Sequence, residues 1–104
     1  MTHYSVGADF ERRVKAHLEA HDYLVKRVAG SHGAVDLIAY GPLEQWFVQC
    51  KTNGRMGPEE RHALHVECVK VGAVPICASR PKRGKILYRR MLSWFDNEWE
   101  ETTP

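Results

Sequence analysis

The spacing of apolar residues changes along the chain, and each change marks a predicted element. Phe10, Val14 and Leu18 recur every four residues, the stripe of an amphipathic helix, which Ser5 is placed to cap and which runs to about Ala20. The run Tyr23-Leu24-Val25-Lys26-Arg27-Val28 predicts a first strand, and the small residues Ala29 to Gly33 a loop. Val35 to Tyr40 and Trp46 to Lys51 are rich in β-branched and aromatic residues with Gly41-Pro42 between them, the pattern of a hairpin. Thr52 to Gly57 has no apolar period and predicts a mobile loop. Pro58, Glu59 and Glu60 open a second helix that Gly72 closes, with Leu64, Cys68 and Val71 as its inner face. Val74 to Ala78 is nearly all apolar and predicts a central strand, with Pro75 near its start where a missing donor is tolerated. Lys85 to Arg89 predicts a fifth strand, and Met91 to Trp99 a short terminal helix making contacts through Trp94, Phe95 and Trp99.

The order helix, three strands, helix, two strands implies an α/β fold, a mixed sheet of about five strands flanked by helices. At 104 residues the chain is long enough for one modest core, so residues 1–104 are expected to form a single domain. No apolar run reaches the length of a membrane span and the start lacks a signal-peptide pattern, which predicts a cytoplasmic protein with no membrane partner. Cys50, Cys68 and Cys77 are odd in number and widely spaced, which predicts reduced thiols. A net charge of +2 hides an uneven layout: Arg80, Lys82, Arg83, Lys85, Arg89 and Arg90 fall together without an acid, while Asp96, Glu98, Glu100 and Glu101 load the tail.

The hairpin carries the chemistry. Side chains alternate along a strand, so Gln49 and Lys51 face one way and Cys50 the other. Asp36 is a carboxylate in an apolar strand, where an unpaired charge is costly, so a positive partner is expected opposite it: Lys51 or a metal ion. Glu11 lies beside Phe10, at the margin of the first helix's stripe, where a carboxylate can point along the core toward the sheet.

With Gly7-Ala8-Asp9-Phe10-Glu11-Arg12, Val28-Ala29-Gly30-Ser31-His32-Gly33, Val35-Asp36-Leu37-Ile38-Ala39 and Val48-Gln49-Cys50-Lys51 in this order, the chain resembles the PD-(D/E)XK nuclease superfamily, and more narrowly the archaeal-type Holliday junction resolvases. The resemblance runs from Gly7 to Lys51; the second half agrees in its order of elements. It implies a restriction-endonuclease-like fold. Two positions depart from the pattern. Val35 stands where the superfamily name has Pro, at a residue that is no ligand. Gln49 stands in place of the usual acid, so the site loses a negative charge and should hold a metal less tightly.

The resemblance implies a Mg²⁺-dependent endonuclease, with Mn²⁺ able to substitute. Asp36 would be the central ligand, with Glu11, the Gln49 side-chain oxygen and the Cys50 backbone carbonyl around it. Lys51 would orient the attacking water or stabilise the phosphate. Ser31 would hydrogen-bond the scissile phosphate, and Arg12, Arg27, His32 and Arg55 are further candidates for touching DNA. Arg80, Lys82, Arg83 and Lys85 would follow the backbone, giving an affinity that falls steeply with salt. No helix-turn-helix or zinc-finger signature is present, so shape rather than base sequence is the expected cue. Two symmetric cuts across a four-way junction imply a homodimer acting on branched duplex DNA. Other nucleases on this fold, or a DNA-binding module without catalysis, are the alternatives. The pairs His17/His21 and His62/His65 have metal-binding spacing but no carboxylate or Cys completing a ligand set, and are read as surface or half-buried residues. Trp46, Trp94 and Trp99 are read as core or interface residues.

Overall fold

The computed structural model describes residues 3–28, 33–82 and 84–104. Its elements are α1 (His3–Glu19), β1 (Leu24–Arg27), β2 (Leu37–Tyr40), β3 (Gln45–Cys50), α2 (Pro58–Val71), β4 (Val74–Lys82), β5 (Lys85–Ser93) and β6 (Glu98–Thr102). The strands form one sheet in the order β1-β2-β3-β4-β5-β6. Only β3 and β4 pair in parallel, Val48 opposite Ile76 and Cys50 opposite Ala78, with α2 as the crossover between them that a parallel pair requires. The other four pairings are antiparallel.

Alternation along the strands divides the core between the two faces. On one, Phe10, Val14 and Leu18 of α1 pack on Val25, Leu37, Ala39, Trp46, Val48, Ile76, Ala78 and Tyr88. On the other, Leu64 and Cys68 of α2 pack on Val35, Phe47, Met56 and Cys77. β4 is buried from Ile76 to Ser79, as its apolar composition predicts for an inner strand. Pro58 opens α2 and Gly72 closes it at φ +71, a left-handed cap that favours glycine. The buried positions of α2 are Arg61, Leu64 and Cys68, whereas Val71 is 57% exposed and not part of the inner face. α1 already includes residues 3 and 4, so Ser5 lies inside the helix rather than capping it.

The largest departure from the sequence reading is at the C-terminal end, which is a hairpin and not a helix, and the sheet therefore has six strands. β5 continues through Met91 to Ser93, with Met91 buried and Leu92 exposed in strand alternation. Asn97 then turns the chain at φ 54, a conformation asparagine tolerates better than most residues. The Asp96 N–H donates to Ser93 Oγ at 3.1 Å across the turn. In β6 only Trp99 and Thr102 are partly covered, and Trp99 joins the α2-side cluster. The aromatic residues 94, 95 and 99 are turn and strand contacts rather than one face of a helix. No helix among the described residues is long and apolar enough to cross a membrane.

Candidate active site

β2 begins beside the end of β3, and the polar residues of the hairpin gather there. Asp36 lies one residue ahead of β2 yet is held as firmly as a strand residue. Its N–H donates to the Val48 carbonyl at 2.9 Å, and its own carbonyl accepts from the Val28 N–H at 2.9 Å. Its side chain accepts the backbone N–H of Cys50 at Oδ2, 2.8 Å away. Burial raises its pKa, against the lowering effects of the Cys50 amide, Lys51 and Arg27. Glu11 of α1 reaches the end of β1, where Arg27 Nε donates to Glu11 Oε2 at 3.1 Å. Its pKa is also raised, first by burial and then by the negative charge of Asp36. Two carboxylates that each resist ionisation, one through the charge of the other, form a place where a cation would be stabilised.

Gln49 and Lys51 share the α2 side of the sheet, as alternation predicts, and Cys50 packs against the α1-side core. Gln49 lines a recess of about 260 Å³ with Gly33, Ala34, Glu59, Glu60 and Ala63. Its Oε1 is buried and has no hydrogen-bond partner among the described residues. Lys51 does not pair with Asp36: its ammonium pairs with Glu60 in the first turn of α2. That replaces the expected Asp36–Lys51 contact, because α2 docks with its N-terminus over this edge and offers a nearer carboxylate. The Lys51 hydrogen bond, together with the Gly57 N–H, holds the Glu60 carboxyl below its usual range although burial opposes it.

The loop after Lys51 is tied down by two arginines that sequence reading assigned no such part. Arg61 is buried and donates from Nη1 to the Met56 carbonyl at 2.8 Å and from Nε to the Trp94 carbonyl at 2.7 Å. Arg89 donates from Nη2 to the Gly54 carbonyl at 2.5 Å and lies over the Trp99 ring at 4.7 Å. The β5–β6 hairpin thus braces the segment that follows Lys51. Gly54 sits at φ +72, and a Cβ there would lie 3.3 Å from the Cβ of Ser79. Gly54→Ala is therefore expected to cost roughly 1–2 kcal/mol of stability, read from the midpoint of urea unfolding.

Other candidates lie elsewhere. Ser31, His32 and Arg83 fall outside the described residues, as does the side chain of Lys82. Arg12 is paired with Asp9 at 2.8 Å on the exposed side of α1. Arg55 and Lys85 are exposed, and Arg80 is exposed over the Phe10 ring. The run from Arg80 to Arg90 is not one basic face: Arg89 turns to the α2 side, and Arg90 pairs with Glu44 at 2.6 Å. His17 shares a hydrogen bond with the Tyr88 hydroxyl at 2.9 Å, and His21 donates from Nδ1 to the His17 carbonyl. A larger groove of about 1070 Å³ beside these histidines holds none of the hairpin residues, so its size does not make it the candidate site. Among the described residues no three His, Cys, Asp or Glu side chains gather closely enough to hold a metal by themselves. Sequence reading used Glu60 only as a helix-start signal. A glutamate three residues after Gly57, the N3 position of a capping box, was the available cue that its side chain folds back toward the start of α2.

A family model described as Mrr_cat, restriction endonuclease, matches residues 5–70. That stretch is more than half of the chain and contains Glu11, Asp36, Gln49, Lys51 and Glu60. None of the curated proteins compared with the chain matches it. Among solved structures, the fold is similar to that of Hjc from Archaeoglobus fulgidus, a Holliday junction resolvase from an archaeal hyperthermophile. The TM-score is 0.70 at 21% identity, over 79% of this chain and 74% of that one. The likeness extends the shared fold past the end of the family match.

Proposed function

Because the chain belongs to the Mrr_cat restriction-endonuclease family, within the PD-(D/E)XK nucleases, we propose that it is a Mg²⁺-dependent DNA endonuclease acting on four-way junctions. The observation that carries this reading is the succession Glu11, Asp36 and Lys51, each close enough to feel the charge of the next, with Gln49 lining the adjacent recess beside Glu60, the partner of Lys51. The similarity in fold to Hjc supports the choice of branched DNA as substrate.

The donor set fits a hard divalent cation. Asp36 gives one carboxylate oxygen to the Cys50 amide and keeps the other, and Gln49 offers a buried carbonyl oxygen with no donor among the described residues. Mg²⁺ takes oxygen ligands and retains several waters, so two carboxylates and one or two carbonyls suffice. Asp36, Glu11, Gln49 and the Cys50 carbonyl would hold it, with Mn²⁺ able to replace it. The chemistry such a cation would supply is a lowered pKa for a water and neutralisation of charge on the phosphate.

The remaining work falls to the chain's own groups. Lys51 orients the water or stabilises the crowded phosphate, and Ser31 hydrogen-bonds the scissile phosphate. Arg27 and Arg12 turn from Glu11 and Asp9 to flanking phosphates; the Arg12–Asp9 pair is exposed and costs little to break. His32, Arg55, Arg80, Lys82, Arg83 and Lys85 follow the backbone farther out. Two copies related by a two-fold axis supply the paired sites that symmetric cutting needs. The chain works in the cytoplasm, and residues 1–104 act as one nuclease domain.

Cleavage of a supercoiled plasmid carrying an inverted repeat that extrudes as a four-way cruciform is the test of metal-dependent catalysis. Cleavage is expected with Mg²⁺ or Mn²⁺ and is expected to vanish in EDTA. Tight, strongly salt-dependent DNA binding with no cut in either metal would instead indicate a binding module on a nuclease fold.

A further inference from the structure

Lys51 is held by a carboxylate that no strand supplies. Glu60 is anchored at both oxygens: Oε2 pairs with the Lys51 ammonium, and Oε1 accepts the Gly57 N–H at 3.2 Å. It sits in the first turn of α2, where the helix dipole favours a negative charge. As a source of stability the pair counts for little, since the two side chains are 30% and 43% exposed. Its consequence lies in where the ammonium is not. Asp36 is close enough to feel the charges of both Lys51 and Glu60, yet the one hydrogen-bond partner of its carboxylate among the described residues is the Cys50 amide. Lysine has a flexible stem of four carbons and pairs readily with any carboxylate in reach. Released from Glu60, Lys51 has Asp36 as its next partner, and an ammonium seated there would occupy the place of a divalent cation.

We propose that Glu60 is a positioning residue that holds Lys51 away from Asp36 and so keeps the Asp36 carboxylate open to a divalent cation. The inference rests on the cation-site reading above and adds a role for the first turn of α2. It also offsets the loss of an acid at Gln49: a site with one carboxylate fewer cannot spare Asp36 to a lysine. Gln49 Oε1, buried without a donor among the described residues, belongs to a residue that lines the recess beside Glu60.

The test is Mn²⁺ titration followed by electron paramagnetic resonance on the DNA-free protein, which needs no turnover. Four forms are compared: wild type, Glu60→Gln, Lys51→Met and the double variant, with Asp36→Asn as the marker of the site. The amide introduced at position 60 still accepts the Gly57 N–H, so α2 keeps its cap. Glu60→Gln is expected to weaken Mn²⁺ binding on the order of tenfold, the scale of groups that orient metal ligands. In the Lys51→Met background the same change should have less than about a twofold effect, because the competing ammonium is gone. Equal losses in both backgrounds would overturn the proposal, making Glu60 a ligand or a bare charge; no loss in either would also overturn it. If Mn²⁺ binding is absent, or is untouched by Asp36→Asn, the cation-site reading itself fails and takes the inference with it.

Discussion

Asp36→Asn is expected to lower DNA cleavage by about three orders of magnitude, roughly 4 kcal/mol of transition-state stabilisation, while raising the melting temperature at neutral pH. The two effects share a cause. Burial raises the Asp36 pKa, so the folded protein binds a proton there more tightly than the unfolded chain does. Between the ordinary carboxylate range and that raised value, the folded state carries more protons, and stability falls as pH rises. Glu11 contributes with the same sign. The asparagine variant is neutral at every pH, and its carbonyl can still accept the Cys50 N–H. Its advantage in thermal melts over wild type should therefore be small in acid and grow toward neutral pH. A variant that is inactive and also less stable at neutral pH would mean that Asp36 is structural.

The second large effect concerns the scaffold. Trp46 is 1% exposed at the centre of the α1-side core, with its ring 5.2 Å from Tyr23 and 5.7 Å from Tyr88. Its Nε1–H donates to Glu44 at 2.9 Å, and Glu44 in turn takes Arg90. Trp46→Ala removes the largest fully buried side chain and leaves Glu44 without that donor. A loss of about 3–5 kcal/mol is expected, a third or more of the stability of an ordinary domain. Urea unfolding should show it as a lower midpoint with an unchanged slope. Activity per folded molecule should stay near wild type at low temperature, because Trp46 points to the face opposite Gln49.

Much of this arrangement is legible in the residues themselves. The Phe10-Val14-Leu18 stripe and the Pro58 and Gly72 boundaries rest on local geometry, which sequence carries directly. The facing of Gln49 and Lys51 follows from strand alternation once the hairpin is recognised. What could not be read depends on how distant parts dock. Lys51's choice of Glu60 over Asp36 is decided by where α2 starts relative to the end of β3. Arg61 and Arg89 look like surface residues in any local window; they are partly or fully buried because the β3–α2 loop and the β5–β6 turn present backbone carbonyls to them. The C-terminal hairpin was misread because Trp94, Phe95 and Trp99 suggest a helical contact. The turn signal between them, Asp96-Asn97, is short, and the period-two pattern of β6 spans only five residues.

The most direct measurement is cleavage of a labelled four-way junction beside a linear duplex of the same sequence, in Mg²⁺ and in EDTA, with Asp36→Asn as control. Paired symmetric nicks are predicted on the junction alone, absent in EDTA and in the variant. Equal cutting of the linear duplex would contradict junction selectivity, and tight junction binding with no cut in Mg²⁺ would contradict catalysis at this site.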